Sequence, residues 1–363
     1  MLKYIEIKGY KSVREQTISF GRINVLIGAN GSGKSNLISF FRMLGFLITG
    51  NLQVFVGRSG GAETFLHYGS KNTDRTESTM LFERDAESYK HYMCLRYGAR
   101  DTFVFSEERI SSQNVSGSET SVSFGPGHRE SGLADIPNDK SHKTVRDIIR
   151  ECRCHQFHDT SETAGLRQNT YIEDNRCLRD DGGNMAAFLC MLRQTGPEYY
   201  HRIVAAVRQV APYFDDFDLR PGYDPKYIML NWKERGADYV FGPHQLPDGL
   251  LRFMALATLL LSPEDQLPGL IVIDEPELGL HPFAINILGA LIRKASYHSQ
   301  LIIATQSLNL VDQFDPGDIL VVGRRDSVSE FGRPDPELLK DWLKEYSLSE
   351  LWEKNVIGGR PSL

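Results

Sequence analysis

The chain has 363 residues, 41% of them hydrophobic, with a formal net charge of −6. This is enough for one large domain or a core domain with a substantial insertion, and the acidic balance provides no global field for nucleic acid or an anionic membrane. The five cysteines are irregularly spaced, which excludes a disulfide framework and fits a reduced, cytoplasmic protein.

Met1 to Glu6 is charged and strand-like, unlike a secretory leader, and the apolar run Phe253 to Leu261 is too short to span a bilayer. No membrane partner is expected. Leu2 to Tyr10 alternates apolar and polar residues as a half-buried strand does, and Gln16 to Phe20 reads as its hairpin partner. Ile23 to Ile27 is a buried strand running into a glycine-rich loop, with a helix expected from Lys34 to about Leu47. Thr79–Phe82, His91–Tyr97 and Thr102–Phe105 suggest an antiparallel meander.

Ser111 to Ser141, rich in Ser, Gly, Asn and Asp, reads as a long loop, and helical periods dominate from about Lys143 to Val210. Leu270–Ile273 and Leu301–Ala304 are short apolar runs, as expected of parallel strands covered on both faces, and Ile319–Val322 is another strand. Leu338 to Lys354 predicts an amphipathic helical tail carrying Leu339, Trp342, Leu343, Tyr346, Leu351 and Trp352.

Gly28-Ala29-Asn30-Gly31-Ser32-Gly33-Lys34-Ser35 matches the phosphate-loop pattern G-x-x-x-x-G-K-[ST] between strand and helix. The glycines let successive backbone N–H groups turn inward around phosphate oxygens, and the helix N-terminus adds its positive dipole end. A chance match would arise in roughly one chain in a hundred of this length, and the strand–loop–helix context lowers that further. The candidate nucleotide-binding set is Asn30, Gly31, Ser32, Gly33, Lys34, Ser35 and Asn36. Lys34 is expected to reach the β- and γ-phosphates of ATP, and Ser35 to ligate Mg²⁺. Leu270-Ile271-Val272-Ile273-Asp274-Glu275 is an apolar strand ending in two carboxylates. Asp274 is placed to hold the Mg²⁺ shell, and Glu275 to polarise an attacking water as general base.

The continuation Glu275-Pro276-Glu277-Leu278-Gly279-Leu280-His281-Pro282 resembles the ABC-class ATPases of the RecF/SMC branch. So do Ile5 to Ser12, Ile23 to Gly28, and Leu301 to Phe314 with Ala304-Thr305-Gln306-Ser307. The resemblance covers both ends of the chain and is weak in the middle. It includes compact ATPases of bacterial DNA repair and phage defence, and it implies an active site completed across a homodimer. A signature loop from one subunit would cap the γ-phosphate held by the other, and Leu246-Pro247-Asp248-Gly249-Leu250 matches it, adding Asp248 and Gly249 as nucleotide-binding candidates. Pro247 stands where the signature usually has Ser, and Gln306 where the switch usually has His. Gln306 can hydrogen-bond a γ-phosphate but cannot carry a proton, which points to slow, regulatory hydrolysis. His281 falls where the class often has an inter-subunit Asp. His155 to Ser161 lies near the region of the class's glutamine loop without a firm match.

Other constellations weigh less. Cys152-Arg153-Cys154-His155 with His158 has soft ligands but no standard zinc spacing, and unconnected thiols and imidazoles explain it better. His142, Lys143, Arg146, Arg150 and Arg153 fall at roughly helical spacing and offer a basic stripe for DNA, although such faces are more often simply solvated. The terminal Gly358-Gly359-Arg360-Pro361 is expected to be free. After the last core strand roughly forty residues remain, fewer than the ~100 typical of a nuclease domain.

The reading is therefore an α/β ABC-type P-loop head with a mixed central sheet, an antiparallel β lobe and a helical insertion, without a coiled-coil arm or C-terminal nuclease domain. Its expected parts are residues 1–110 (P-loop and β lobe), 111–245 (insertion), 246–335 (signature, Walker B strand and switch) and 336–363 (tail). Glu275 and Gln306 are the expected catalytic residues, Ser35 and Asp274 the metal ligands, and ATP and Mg²⁺ the cofactors. The expected partners are a second copy of the chain and a separate effector, a nuclease or toxin, with DNA as a further candidate, in phage defence or repair. The rivals are a stand-alone DNA-binding repair ATPase and the nucleotide-binding subunit of a transporter.

Overall fold

The computed structural model describes residues 1–114, 116–135 and 139–359. In chain order it begins with β1 (Leu2–Tyr10), β2 (Val13–Ser19), β3 (Ile23–Ile27), α1 (Lys34–Leu47) and α2 (Leu52–Arg58). Next come β4 (Arg75–Arg84), β5 (Glu87–Gly98), β6 (Thr102–Gln113), β7 (Glu119–Ser123), α3 (Lys140–Arg150) and β8 (Cys152–His155). Then follow β9 (Thr170–Tyr171), α4 (Met185–Thr195), α5 (Pro197–Val210), β10 (Phe214–Asp218), β11 (Tyr227–Ile228), β12 (Asn231–Glu234) and β13 (Val240–Phe241). The chain continues with α6 (Asp248–Leu260), β14 (Leu270–Asp274), α7 (Pro282–Ala295), β15 (Gln300–Ala304) and α8 (Leu308–Val311). It closes with β16 (Ile319–Arg325), β17 (Val328–Gly332), α9 (Pro336–Leu339) and α10 (Leu348–Glu353). These elements form two compact units.

The first unit holds Met1–Arg153, Gly269–Val272 and the chain from Asp315 onward. Its larger sheet is antiparallel, in the order β2-β1-β4-β5-β6-β7, so the expected hairpin and meander join into one six-stranded surface. A second sheet is mixed: β16 runs parallel to β3 and antiparallel to β17. β3 is buried along its whole length, and the apolar face of α1 carries Leu37, Phe40, Phe41 and Leu44. Phe40 meets Tyr10 of β1 edge-on at 5.7 Å, and Phe41 meets Phe20 at 6.1 Å, anchoring the helix that follows the phosphate loop.

The stretch read as a long loop is more ordered than its composition implies. β6 extends to Gln113, and β7 pairs with it, Ile110 facing Val122. Cross-strand pairing supplies what the polar sequence lacks in apolar anchors. The basic stripe is also broken. His142 is buried at the start of α3, edge-on to Phe124 at 5.2 Å, while Arg146 donates to the Asp135 carbonyl at 2.9 Å.

A buried ionic cluster stiffens the same sheet. Glu108 on β6 is fully buried and accepts from Ser131 Oγ at 2.5 Å and Gly132 N at 2.9 Å, with the His91 ring at 3.0 Å. Burial alone pushes the Glu108 carboxyl upward, but the hydrogen bond and electrostatic pull of His91, with the Ser131 and Gly132 bonds, outweigh it and hold it below the usual carboxylate range. A depressed carboxylate contributes stability that is full above its unfolded value, about pH 4.3, and is lost as pH falls through its folded value. Glu108→Ala is therefore expected to cost about 3–5 kcal/mol at neutral pH, measured by urea unfolding. Glu108→Gln is expected to flatten the acid limb of the stability curve.

The tail departs from the single helix expected. It breaks into α9, a 3₁₀ turn at Trp342–Lys344 and α10. The break follows from a capping box, in which Ser347 Oγ accepts from Glu350 N and the Glu350 carboxylate accepts from Ser347 N at 2.8 Å. Leu339 and Leu351 are buried, while Trp342 is half exposed.

The second unit holds Cys154–Pro268 and Ile273–Phe314. α4 through α7 form its helical body. The insertion is not purely helical: β10, β12 and β13 make a small sheet, and β9 pairs with β11. Trp232 of β12 stacks on Phe241 at 4.6 Å, which gives these short strands a core of their own. Pro197 at the first turn of α5 uses its fixed φ where no helical N–H is needed. Among the described residues, no helix is long and apolar enough to cross a membrane.

Candidate nucleotide site

The phosphate loop lies in the first unit, between β3 and α1. Gly28 has φ 157°, and a Cβ there would lie 2.1 Å from the Val322 carbonyl oxygen, so only glycine lets β3 leave the sheet at this point. Lys34 Nζ folds back onto the loop, donating to the carbonyls of Gly28 at 2.6 Å and Ala29 at 3.1 Å. The loop is braced from beneath. Ser329 Oγ donates to Ser32 O at 2.6 Å and shares a 2.6 Å hydrogen bond with Ser12 Oγ, which accepts from Asn36 Nδ2 at 2.6 Å. Asn36, one of the nucleotide candidates, also braces α1 against the β1–β2 turn through this bond. Asn30, Gly31 and Ser35 are exposed, and Ser32 Oγ is buried without a hydrogen-bond partner. An orphaned, buried hydroxyl in a glycine-rich loop at a helix start fits a phosphate-bearing ligand.

Gly359 is not free. Its carbonyl accepts from the phosphate-loop amide of Ala29 at 3.1 Å. Arg360 and Pro361 lie outside the described residues.

The second unit gathers the other candidates. β14 ends at Asp274, and Glu275 takes φ 41°, left-handed backbone that costs a non-glycine residue on the order of 1–3 kcal/mol. The Glu275 amide donates to the Ala304 carbonyl at the end of β15, 2.8 Å away, which fixes this turn. Gln306 Nε2 donates to Glu275 Oε1 at 2.7 Å, so the two expected catalytic residues touch. Sequence reasoning missed Glu277, whose Oε1 accepts from Thr305 Oγ1 at 2.6 Å and from Gln306 N at 3.1 Å, locking the switch turn. His158, weighed in the sequence only as a loose metal ligand and as part of the glutamine-loop stretch, has its Nε2 2.7 Å from the Asp274 carbonyl. Of the stretch near the glutamine loop, it is His158 that reaches the end of this strand. No spacing rule links residues so far apart in sequence.

The signature stretch opens α6. Pro247 is the N-cap residue and makes no side-chain cap, so the first-turn amides keep no local acceptor. Gly249 is required by packing: a Cβ would lie 2.2 Å from the Gly279 carbonyl oxygen. Gly249→Ala is expected to push α6 off the 279 turn and cost about 1–3 kcal/mol in thermal or urea unfolding. Asp248 is exposed, and its carboxylate accepts from Arg167 at 2.6 Å. His281 caps α7, its Nδ1 accepting from Phe283 N at 3.2 Å. The structure thus brings Glu275 and Gln306 together in one unit, and assembles the phosphate loop in the other.

Comparison with known proteins agrees with this anatomy. Residues 4–165 match the family model described as "AAA domain", and residues 202–312 match the one described as "AAA domain, putative AbiEii toxin, Type IV TA system". No curated protein matches the chain. Among solved structures, an SMC head bound to the C-terminal winged-helix domain of ScpA is similar at TM-score 0.59 and 17% identity, covering 93% of this chain and 99% of that one. A Pyrococcus furiosus SMC head with an extended coiled coil, bound to the C-terminal domain of ScpA, is similar at TM-score 0.58 and 16% identity, covering 95% and 98%. A Pyrococcus yayanosii SMC head is similar at TM-score 0.52 and 13% identity, covering 95% and 99%. The fold is that of an SMC-type head. The chain is thus a P-loop ATPase with the fold of an SMC head, and its described helices include no coiled-coil arm.

Proposed function

We propose that this ATPase is a slow, ATP-dependent switch in which two copies close head to head and control a separate nucleic-acid-directed or toxic effector, in phage defence or DNA repair. The observation that carries the reading is the presence in one chain of one phosphate loop and one signature turn with an uncapped helix start. Under this reading the helix start faces the nucleotide of a second copy, and a symmetric dimer completes two sites.

Magnesium ATP supplies the γ-phosphate to be cleaved. Within the chain, Lys34 would leave its loop carbonyls to bind the β- and γ-phosphates, the loop amides would orient the chain of phosphates, and Ser35 and Asp274 are the side chains assigned to Mg²⁺. Glu275 takes the proton of the attacking water, and Gln306 holds that carboxylate in place without titrating. Pro247 contributes neither hydroxyl nor N–H at the signature, so less stabilisation reaches the developing charge, which fits slow turnover. The family model that names a toxin and a type IV toxin–antitoxin system supports the effector half of the proposal.

Because each site draws on two chains, specific ATPase activity should rise with protein concentration before levelling off. A steady-state assay across a hundredfold range of protein tests this. Specific activity that stays constant down to nanomolar protein would mean that single chains hydrolyse ATP alone.

A further inference from the structure

The signature turn does not stand by itself. Arg167, 5% exposed, reaches it from the segment between β8 and β9. Its Nε donates to Thr160 O at 2.8 Å, its Nη1 to Pro243 O, and its Nη2 to Leu246 O at 3.1 Å and Asp248 Oδ1 at 2.6 Å. All three guanidinium nitrogens are used, and three of the four acceptors lie on Pro243 and Leu246 just before α6 and on Asp248, its first residue. A planar, permanently charged fork suits this task in a way a lysine does not.

The same segment reaches the end of β14. His158 sits against the Asp274 carbonyl, and its own carbonyl accepts from Arg252 Nη2 at 2.8 Å. Arg252, in the first turns of α6, also donates from Nη1 to Leu278 O at 3.0 Å. A continuous set of hydrogen bonds therefore runs from the Glu275 turn through residues 158–167 to Asp248. Arg167 closes it, and it also neutralises the one carboxylate standing at a helix start meant for phosphate.

We propose that Arg167 is a positioning residue: it fixes the Leu246–Gly249 turn and screens Asp248, so that the N-terminus of α6 can receive the γ-phosphate bound to a second copy of the chain. This inference rests on the head-dimer reading above. Without Arg167, the turn loses its fastening and Asp248 presents an unscreened negative charge to the incoming phosphate.

The test uses the full chain with Glu275→Gln as background and adds Arg167→Met or Arg167→Lys. Dimerisation with ATP·Mg²⁺ is followed by light scattering, single-chain affinity by a fluorescent ATP analogue at protein concentrations too low for dimers, and folding by thermal melting. Arg167→Met is expected to raise the protein concentration needed for the ATP-bound dimer by about tenfold or more, with single-chain nucleotide affinity within about twofold of the parent. Arg167→Lys is expected to fall between the two. An equal loss of single-chain affinity would mean a general structural role and would overturn the inference. So would unchanged dimerisation in a folded Arg167→Met protein. If Arg167→Met does not fold, Arg167→Lys decides, and parental dimerisation in that variant overturns the inference. If Glu275→Gln itself fails to dimerise with ATP, the head-dimer reading is wrong and the inference falls with it.

Discussion

Lys34→Ala is expected to weaken ATP binding by about a hundredfold or more, in a titration monitored by calorimetry or a fluorescent analogue. The ammonium makes two hydrogen bonds to its own loop, at 2.6 and 3.1 Å, and these hold it over the position where phosphate oxygens would take their place. Exchanging neutral carbonyls for a multiply charged phosphate strengthens each bond, and alanine forfeits the whole exchange. The loop itself should survive the substitution. Its shape is maintained by Ser329 on Ser32 O, by Ser12 and Asn36 beneath it, and by the close approach of Gly28 to Val322. The melting temperature should therefore change little while binding is lost. Unchanged affinity would remove the phosphate-loop assignment.

Glu275→Gln is expected to leave ATP binding in place and lower hydrolysis by about 10²–10⁴-fold, the range typical of a lost general base. Shape is conserved, and the amide can keep a hydrogen bond to Gln306, so the turn at φ 41° should hold. Gln306→Ala should be milder, because Gln306 orients Glu275 and carries no proton itself. Single-turnover measurements with both variants separate the roles. Equal losses would mean that Gln306 contributes more than orientation.

Much of this was legible in the sequence, for physical reasons that differ between segments. β3, the phosphate loop and α1 were readable because a fully apolar strand, a fixed glycine pattern and a helical period adjoin one another, and α1 spans Lys34–Leu47 as expected. β14 and β15 are readable because their buried stretches Leu270–Ile273 and Leu301–Ala304 are wholly apolar, as strands covered on both faces are. Within the polar 111–141 stretch β7 is not legible, because composition does not register cross-strand pairing and β7 is held by β6 and not by buried side chains of its own. The period of the tail suggests one helix, whereas the Ser347–Glu350 capping box starts a new one at Leu348. Within the site, contacts between distant segments escaped altogether. Arg167 on Asp248, His158 on Asp274 and Glu277 on Thr305 each join residues that no local pattern connects. Asn36, a nucleotide candidate by its place beside the motif, also donates one amide hydrogen to Ser12, a contact no local pattern indicates.

The most direct test of the switch is the molar mass of the Glu275→Gln protein by size-exclusion light scattering, with and without ATP·Mg²⁺. The head-dimer account predicts the mass of one chain without nucleotide and of two chains with it, the change vanishing when Lys34→Ala is added. The mass of a single chain in both conditions, at protein and ATP concentrations where binding is saturated, would contradict it.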